Sequence, residues 1–402
     1  MASLLGAMSR VRAVDERHRV TSFELFFDLV YVFAVTRVTA YMAEAHSGEG
    51  VLQGLLLLGL LWWTWAAYSW LGNQARADTG VTRVAMLVAM AAIFVVALTI
   101  PEAWEDAPGG LDGPVVLVVA YFLVRSIHLL VYAVAAAGDR ELRHQLAVTI
   151  APMVAGAALL LAGALLGGTA QTILFGAGLG VDWLGTWITS RGGAWRIHSP
   201  AHWCERHGLF VILAIGESLV AVGAGAAQLP ISAPLIGGAV LGIAVSVSLW
   251  SLYFDVVSPA AERALSALTG RARVDMAVEA YSYLHFPIIA GIVLAALGVE
   301  EVLGHVDETA ALGTFAAWAL HGGLALYLLG HVAFKWRLHG TINRQRLLAA
   351  AVLVATAPLS AHVPPLLALG IAVVVLGGLM AYEAARYAEL RESLRDGTPE
   401  PS

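Results

Sequence analysis

Glu24 and Asp28 stand four residues apart in the first long apolar run of this chain, a spacing that puts both carboxylates on one face of a helix. Two carboxylates that close in a low dielectric rarely both ionise, so the pair could hold one proton near neutral pH. The chemistry that follows is a proton or cation site, or an acid/base pair. The structural alternative leaves Glu24 in headgroup water while Asp28 pairs with a cation on another helix.

A second constellation lies further along. Tyr121, Arg125, His128 and Tyr132 recur at i, i+4, i+7 and i+11, a polar stripe that is costly toward lipid and must face protein or water. Arg125 and Glu217 both fall near mid-depth of their apolar runs, which suggests an Arg125–Glu217 ion pair with His128 in reach of Asp28. Such a pair either serves a site or glues helices together. Glu279, His285, His321 and His331 add titratable groups, and a buried line of histidines suits a proton relay. A lone histidine in a membrane also satisfies itself on nearby backbone, and Pro287 frees a carbonyl beside His285. Arg37 points away from Asp28 and reads as a snorkelling side chain. Asp182 and Asp255 read as interfacial.

Other chemistries find little support. His198 and His202 are four apart, but Pro200 between them argues against a helical chelate, so neither a metal site nor a cofactor is expected. HExxH, GxSxG, P-loop and paired acidic-cluster motifs are absent from the sequence. Cys204 is the single cysteine, so one chain forms no disulfide. No basic tract with interleaved aromatics suggests nucleic acid, and a net charge of −6 averages two oppositely charged faces.

The elements that must position these residues are transmembrane helices. Of 402 residues, 59% are apolar and 13% charged, the balance of a polytopic membrane protein. The fold expected is an all-α bundle of about twelve spans, near 23–42, 51–71, 82–100, 114–137, 145–166, 170–186, 207–226, 233–257, 277–298, 311–334, 346–363 and 365–386. The short sixth span and the last pair, parted only by Pro364 and Pro365, have the weakest boundaries. All 23 Lys and Arg residues except Arg37 and Arg125 fall at alternate connections or their span ends. The remaining connections carry only acids, such as Glu44, Glu102 and Glu300. By the retention of basic residues on the cytoplasmic side, both termini are cytoplasmic, in the plasma membrane.

This gives a segment 1–22, a six-helix half 23–186, a connecting loop 187–206, a second half 207–386 and a polar tail 387–402, disordered from Arg391. In the loop, Trp, His and Arg interleave, as expected either for headgroup anchoring or for a lid over a ligand. Trp62, Trp63, Trp65, Tyr68 and Trp70 crowd the second span, either as packing or as an aromatic wall. The halves echo each other at a spacing near 190 residues: Asp28 with Glu217, Trp62 with Trp250, Arg83 with Arg273. A parallel six-plus-six duplication accounts for this, with chance matching of apolar sequence as its rival.

The run FELFFDLVYVF at 23–33, with GLFVILAIGES at 208–218, resembles the bacterial low-temperature-requirement A (LtrA) family across about 18–386. His207 departs from the aromatic residue more usual there between Arg206 and Gly208. The resemblance implies a multi-pass membrane protein without an established biochemical activity, and carries over no catalytic residues. The function expected is a secondary transporter or permease, possibly proton-coupled, with Glu24, Asp28, Arg125, His128, Glu217, His285 and His321 as candidate substrate or proton groups. Its partners are the bilayer and a small molecule, ion or lipid that the sequence does not name, and no oligomeric state is assigned. The alternatives are a membrane-embedded enzyme acting on a lipid or polyprenyl substrate, and a non-catalytic accessory or sensor protein.

Overall fold

A computed structural model describes residues 14–191, 193–227, 229–307 and 309–387; the tail from Arg391 and the first basic residues lie outside them. Among the described residues every regular element is helical. All twelve apolar segments are helices: Ser22–Ala45, Gly48–Gln74, Gly80–Thr99, Gly113–Ala135, Arg140–Leu166, Gly168–Ser190, Pro200–Ala226, Ala233–Phe254, the stretch from Gly270 to Gly304, the stretch from Thr314 to His339, Arg344–Ser360 and Pro365–Arg386. A short amphipathic helix, Val257–Ala267, follows the eighth. Ten of these are long and apolar enough to cross a membrane. The other two are Gly168–Ser190 and Arg344–Ser360, the latter only 17 residues long.

Local chemistry sets the ends. Asp112, Asp139, Ser232 and Asn343 each take a backbone N–H at the start of the helix that follows, satisfying one of its orphan donors. Pro200 occupies the first position of its helix, where its missing N–H costs nothing, and Ser199 caps it through Oγ to the His202 N–H at 3.2 Å. The connecting loop is therefore shorter than the expected 187–206: Trp187–Ser190 and Pro200–Arg206 are helical, and 193–199 are irregular.

The faces run inside-out relative to a soluble helix. On the first helix Leu25 and Leu29 are 44% and 57% exposed, while Glu24 and Asp28 are each 1% exposed. Carboxylates turn inward and leucines outward, as expected where the surroundings are lipid.

The chain folds as two compact units. The first comprises residues up to Tyr41, Glu49–Arg206 and Thr269–Val278; the second Met42–Gly48, His207–Leu268 and the chain from Glu279 onward. In the first, helices Arg140–Leu166 and Gly168–Ser190 cross at Gly156 and Gly178. A Cβ on either would sit 2.8 Å from the other's carbonyl oxygen, so only glycine permits that approach. Two π-helical segments, Ala277–Tyr283 and Trp318–Gly322, interrupt their helices near His285 and at His321.

Candidate functional site

Two helices in the first unit present matched i, i+4 pairs. Glu24 and Asp28 come from Ser22–Ala45, and His202 and Arg206 from Pro200–Ala226, forming a two-rung ladder. Arg206 grips Asp28 bidentately, Nη1 to Oδ2 at 2.7 Å and Nη2 to Oδ1 at 2.9 Å. Trp65 donates its indole N–H to Asp28 Oδ1 at 3.0 Å and lies under the guanidinium, 5.4 Å from ring centroid to Cζ. His202 Nε2 lies 2.8 Å from Glu24 Oε1, and Glu24 Oε2 accepts the N–H and hydroxyl of Thr21. The nearest partner of Glu24 is His202 and that of Asp28 is Arg206, while Arg206 Nε also lies 4.0 Å from Glu24 Oε1 and so joins the two carboxylates. All four side chains are buried.

Hydrogen bonding also fixes the histidine tautomer. Asn73 Oδ1 accepts the backbone N–H of His198 and of Ser199, so its Nδ2 is the group facing Ser199 O at 2.7 Å and His202 Nδ1 at 3.2 Å. Nδ1 of His202 is then an acceptor, and Nε2–H donates to Glu24. His18, Glu24 and His202 bring three ligand atoms within 4.8 Å of one another, a composition known in zinc sites. A metal on Nε2 would require a proton on Nδ1 and an acceptor beyond it. Asn73 would have to turn its amide and release two backbone donors, so the geometry favours a hydrogen-bonded relay.

Gly72 makes the ladder possible. A Cβ there would stand 2.7 Å from Glu24 Oε1 and 3.5 Å from His202 Cε1. Gly72→Ala is expected to displace the Glu24 carboxylate and destabilise the chain by about 1–3 kcal/mol, as overpacking does. Chemical unfolding in mixed micelles measures this, and an unchanged midpoint would mean the carboxylate moves freely.

The relay reaches a cavity of about 580 Å3 at the end of this unit that carries its basic connections. Trp195, Arg196, His198, Arg271, Arg273 and Asp275 are among its walls. His198 joins the wall to the relay through its backbone N–H on Asn73, and its Nε2 lies 2.9 Å from Gln74 Oε1. Burial, reinforced by Arg196, holds His198 below the usual histidine value of 6.5. Burial, with His202 next, does the same for His18. A histidine whose folded value is depressed stabilises the fold fully above 6.5 and loses that contribution as pH falls below it. The unfolding temperature should therefore drop as pH falls from about 7.5 to 5.5, and His18→Gln combined with His198→Gln should flatten the drop.

Arg125 pairs with Asp182, not with Glu217. Its Nη2 lies 3.2 and 3.3 Å from the two carboxylate oxygens, and both side chains are buried. Asp182 is thus an interior residue rather than an interfacial one, because Gly168–Ser190 continues two turns past it. Nor does His128 approach Asp28 as a partner: it packs edge-on between Tyr68 and Tyr132, at centroid distances of 5.5 and 5.6 Å. Trp62 and Trp65 stack at 5.1 Å in the core, and Trp65 touches a charge of the ladder. Arg37 is half-buried.

In the second unit Glu217 is 3% exposed, and Glu300 counts it among its nearest charged neighbours. His285 donates Nδ1–H to Ala280 O, a carbonyl of the π segment, at 3.2 Å and takes the Tyr253 hydroxyl on Nε2 at 2.9 Å. His207, Tyr281 and His331 complete a buried ring cluster around that bond. His321 stands apart, 3.2 Å from Thr356 Oγ1. Arg346 and Glu383 form another buried bidentate pair.

Apolar exterior, buried ion pairs and helices of membrane length define a multi-pass helical membrane protein. The chain belongs to the bacterial low temperature requirement A protein (LtrA) family, whose profile matches residues 19–381. It is 26% identical over 324 residues to an uncharacterized protein of Rhizobium meliloti (strain 1021), a match covering 78% of this chain and 76% of that one. No solved structure matches it.

Proposed function

We propose that this protein is a secondary transporter or permease that moves a small polar or charged solute, coupled to protons through Glu24 and Asp28. One observation carries the reading: a line of hydrogen bonds runs from a polar cavity through Asn73 and His202 to Glu24, beside Asp28 held by Arg206. Such a line ties the wall of that cavity to charges buried among apolar helices, where burial of a charge usually marks a functional site. The basic connections support a cytoplasmic cavity end, with both termini on that side of a plasma membrane, as part of this reading. Twelve helices in two halves suit a parallel repeat, with Glu217 as counterpart of Asp28. The accessible test is proteoliposomes carrying a pH-sensitive dye and challenged with anionic, cationic and neutral solutes. At least one class should drive proton movement, and Glu24→Gln should abolish it while the protein stays folded. Flux that is absent for every class, or unaltered in the variant, contradicts the reading.

The alternative is a membrane-embedded enzyme, favoured by the Asn73–His202–Glu24 sequence, which has the order of an acid/base chain. It predicts conversion of an added lipid without any ion movement.

A further inference from the structure

A second cavity, independent of the ladder, lies in the second unit where helix Gly323–His339 ends and Arg344–Ser360 begins. Its volume is about 200 Å3, room for a phosphate group and its ester oxygens but not for an extended solute. Lys335, Arg346, Asn343, Glu383 and Tyr387 supply its polar wall, and Phe334 with Val257 is part of the apolar one.

The charges here do not cancel. Glu383 is taken up by Arg346, whose Nε and Nη2 reach its two oxygens at 2.8 and 2.7 Å; Nη2 also meets Leu252 O at 2.9 Å. That leaves Arg346 Nη1 buried with no hydrogen-bond partner, on a side chain only 3% exposed. An orphaned guanidinium donor beside a cavity asks for an acceptor. Lys335 lines the same space and lies over the Tyr387 ring at 6.0 Å; among the described residues it forms no ion pair with a carboxylate. Tyr387 accepts Gln345 Nε2 at 2.8 Å, so its own O–H is left to donate. Asn343 spends its oxygen capping Arg346 N–H, which leaves its amide nitrogen. The first turn of Arg344–Ser360 adds the positive end of a 17-residue helix.

We propose that this cavity binds a phosphate group, held by Lys335, Arg346 Nη1 and the Tyr387 hydroxyl. Arginine and lysine are the usual partners of phosphate, one as a directional donor and one as a point charge. The phosphate has two sources, a phospholipid headgroup or the free ion. The apolar wall and the position at the end of an apolar span suit the first.

Full-length protein, purified and stripped of lipid in detergent, tests this by its thermal unfolding midpoint. Three additions are titrated separately: inorganic phosphate, phosphatidylglycerol, and diacylglycerol, which has no phosphate. Phosphatidylglycerol should raise the midpoint at lower concentration than phosphate, and diacylglycerol should not raise it. Equal potency of phosphate and phosphatidylglycerol would assign the free ion as the source. Lys335→Ala should weaken the response about ten-fold with its ligand-free midpoint intact, and Lys335→Arg should restore it. Arg346 variants are avoided because they strand Glu383. Stabilisation by diacylglycerol equal to that by phosphatidylglycerol, no response to either phosphate source, or an unaltered response in Lys335→Ala, overturns the proposal.

Discussion

Arg206→Ala is expected to destabilise the protein by about 3–5 kcal/mol, the usual cost of removing one partner of a buried ion pair. The loss is large because Asp28 stays buried with only the Trp65 indole to meet its charge. Removing both charges tells a different story. Asp28→Leu with Arg206→Met removes both charges of the bidentate pair together, and such replacements are commonly neutral or stabilising by about 1–4 kcal/mol. The double variant should therefore unfold at or above the wild-type midpoint, and yet carry no solute. Denaturant titration of the single and double variants in mixed micelles gives the first number, and proteoliposome flux the second. Restored stability with restored flux would make the pair a fastener only.

The second large effect lies at Arg125. Asp182→Ala strands that guanidinium and is expected to cost about 3–5 kcal/mol, whereas Glu217→Gln should leave Arg125 undisturbed. A double-mutant cycle separates the two carboxylates. Arg125→Gln with Asp182→Asn should show a coupling of about 0.5–3 kcal/mol; Arg125→Gln with Glu217→Gln should be additive within about 0.5 kcal/mol. Coupling to Glu217 instead would reassign the pair.

That difference shows what was readable from sequence. Long apolar runs and the alternation of basic and acidic connections made all twelve helices visible, since helix length and burial of backbone polar groups in lipid leave few options. They also singled out Glu24, Asp28 and Arg125, whose burial is costly wherever they sit. Partnership was not readable. Depth along a helix paired Arg125 with Glu217, but depth does not say which helices are neighbours. Ending the sixth span at 186 pushed Asp182 to the boundary, while four further helical residues bring it inside.

Arg206 was missed for a related reason. Counted with the basic connection, it looked cytoplasmic, yet a helix begun at Pro200 carries it nearly two turns in. The signal was present: serine followed by proline is a cap followed by a favoured first residue, and it predicts the early start. With that start, His202 and Arg206 share a face at the spacing of Glu24 and Asp28. Asn73 and Trp65 left no such trace, because their roles depend on tertiary approach.

The central claim is that the ladder and its relay form a route for solute and proton. It is tested most directly by proton flux in proteoliposomes containing the Asp28→Leu, Arg206→Met variant beside wild type, with unfolding midpoints measured on the same preparations. The expected result is a midpoint no lower than wild type and no solute-driven proton movement. A folded double variant that moves protons at the wild-type rate would contradict it.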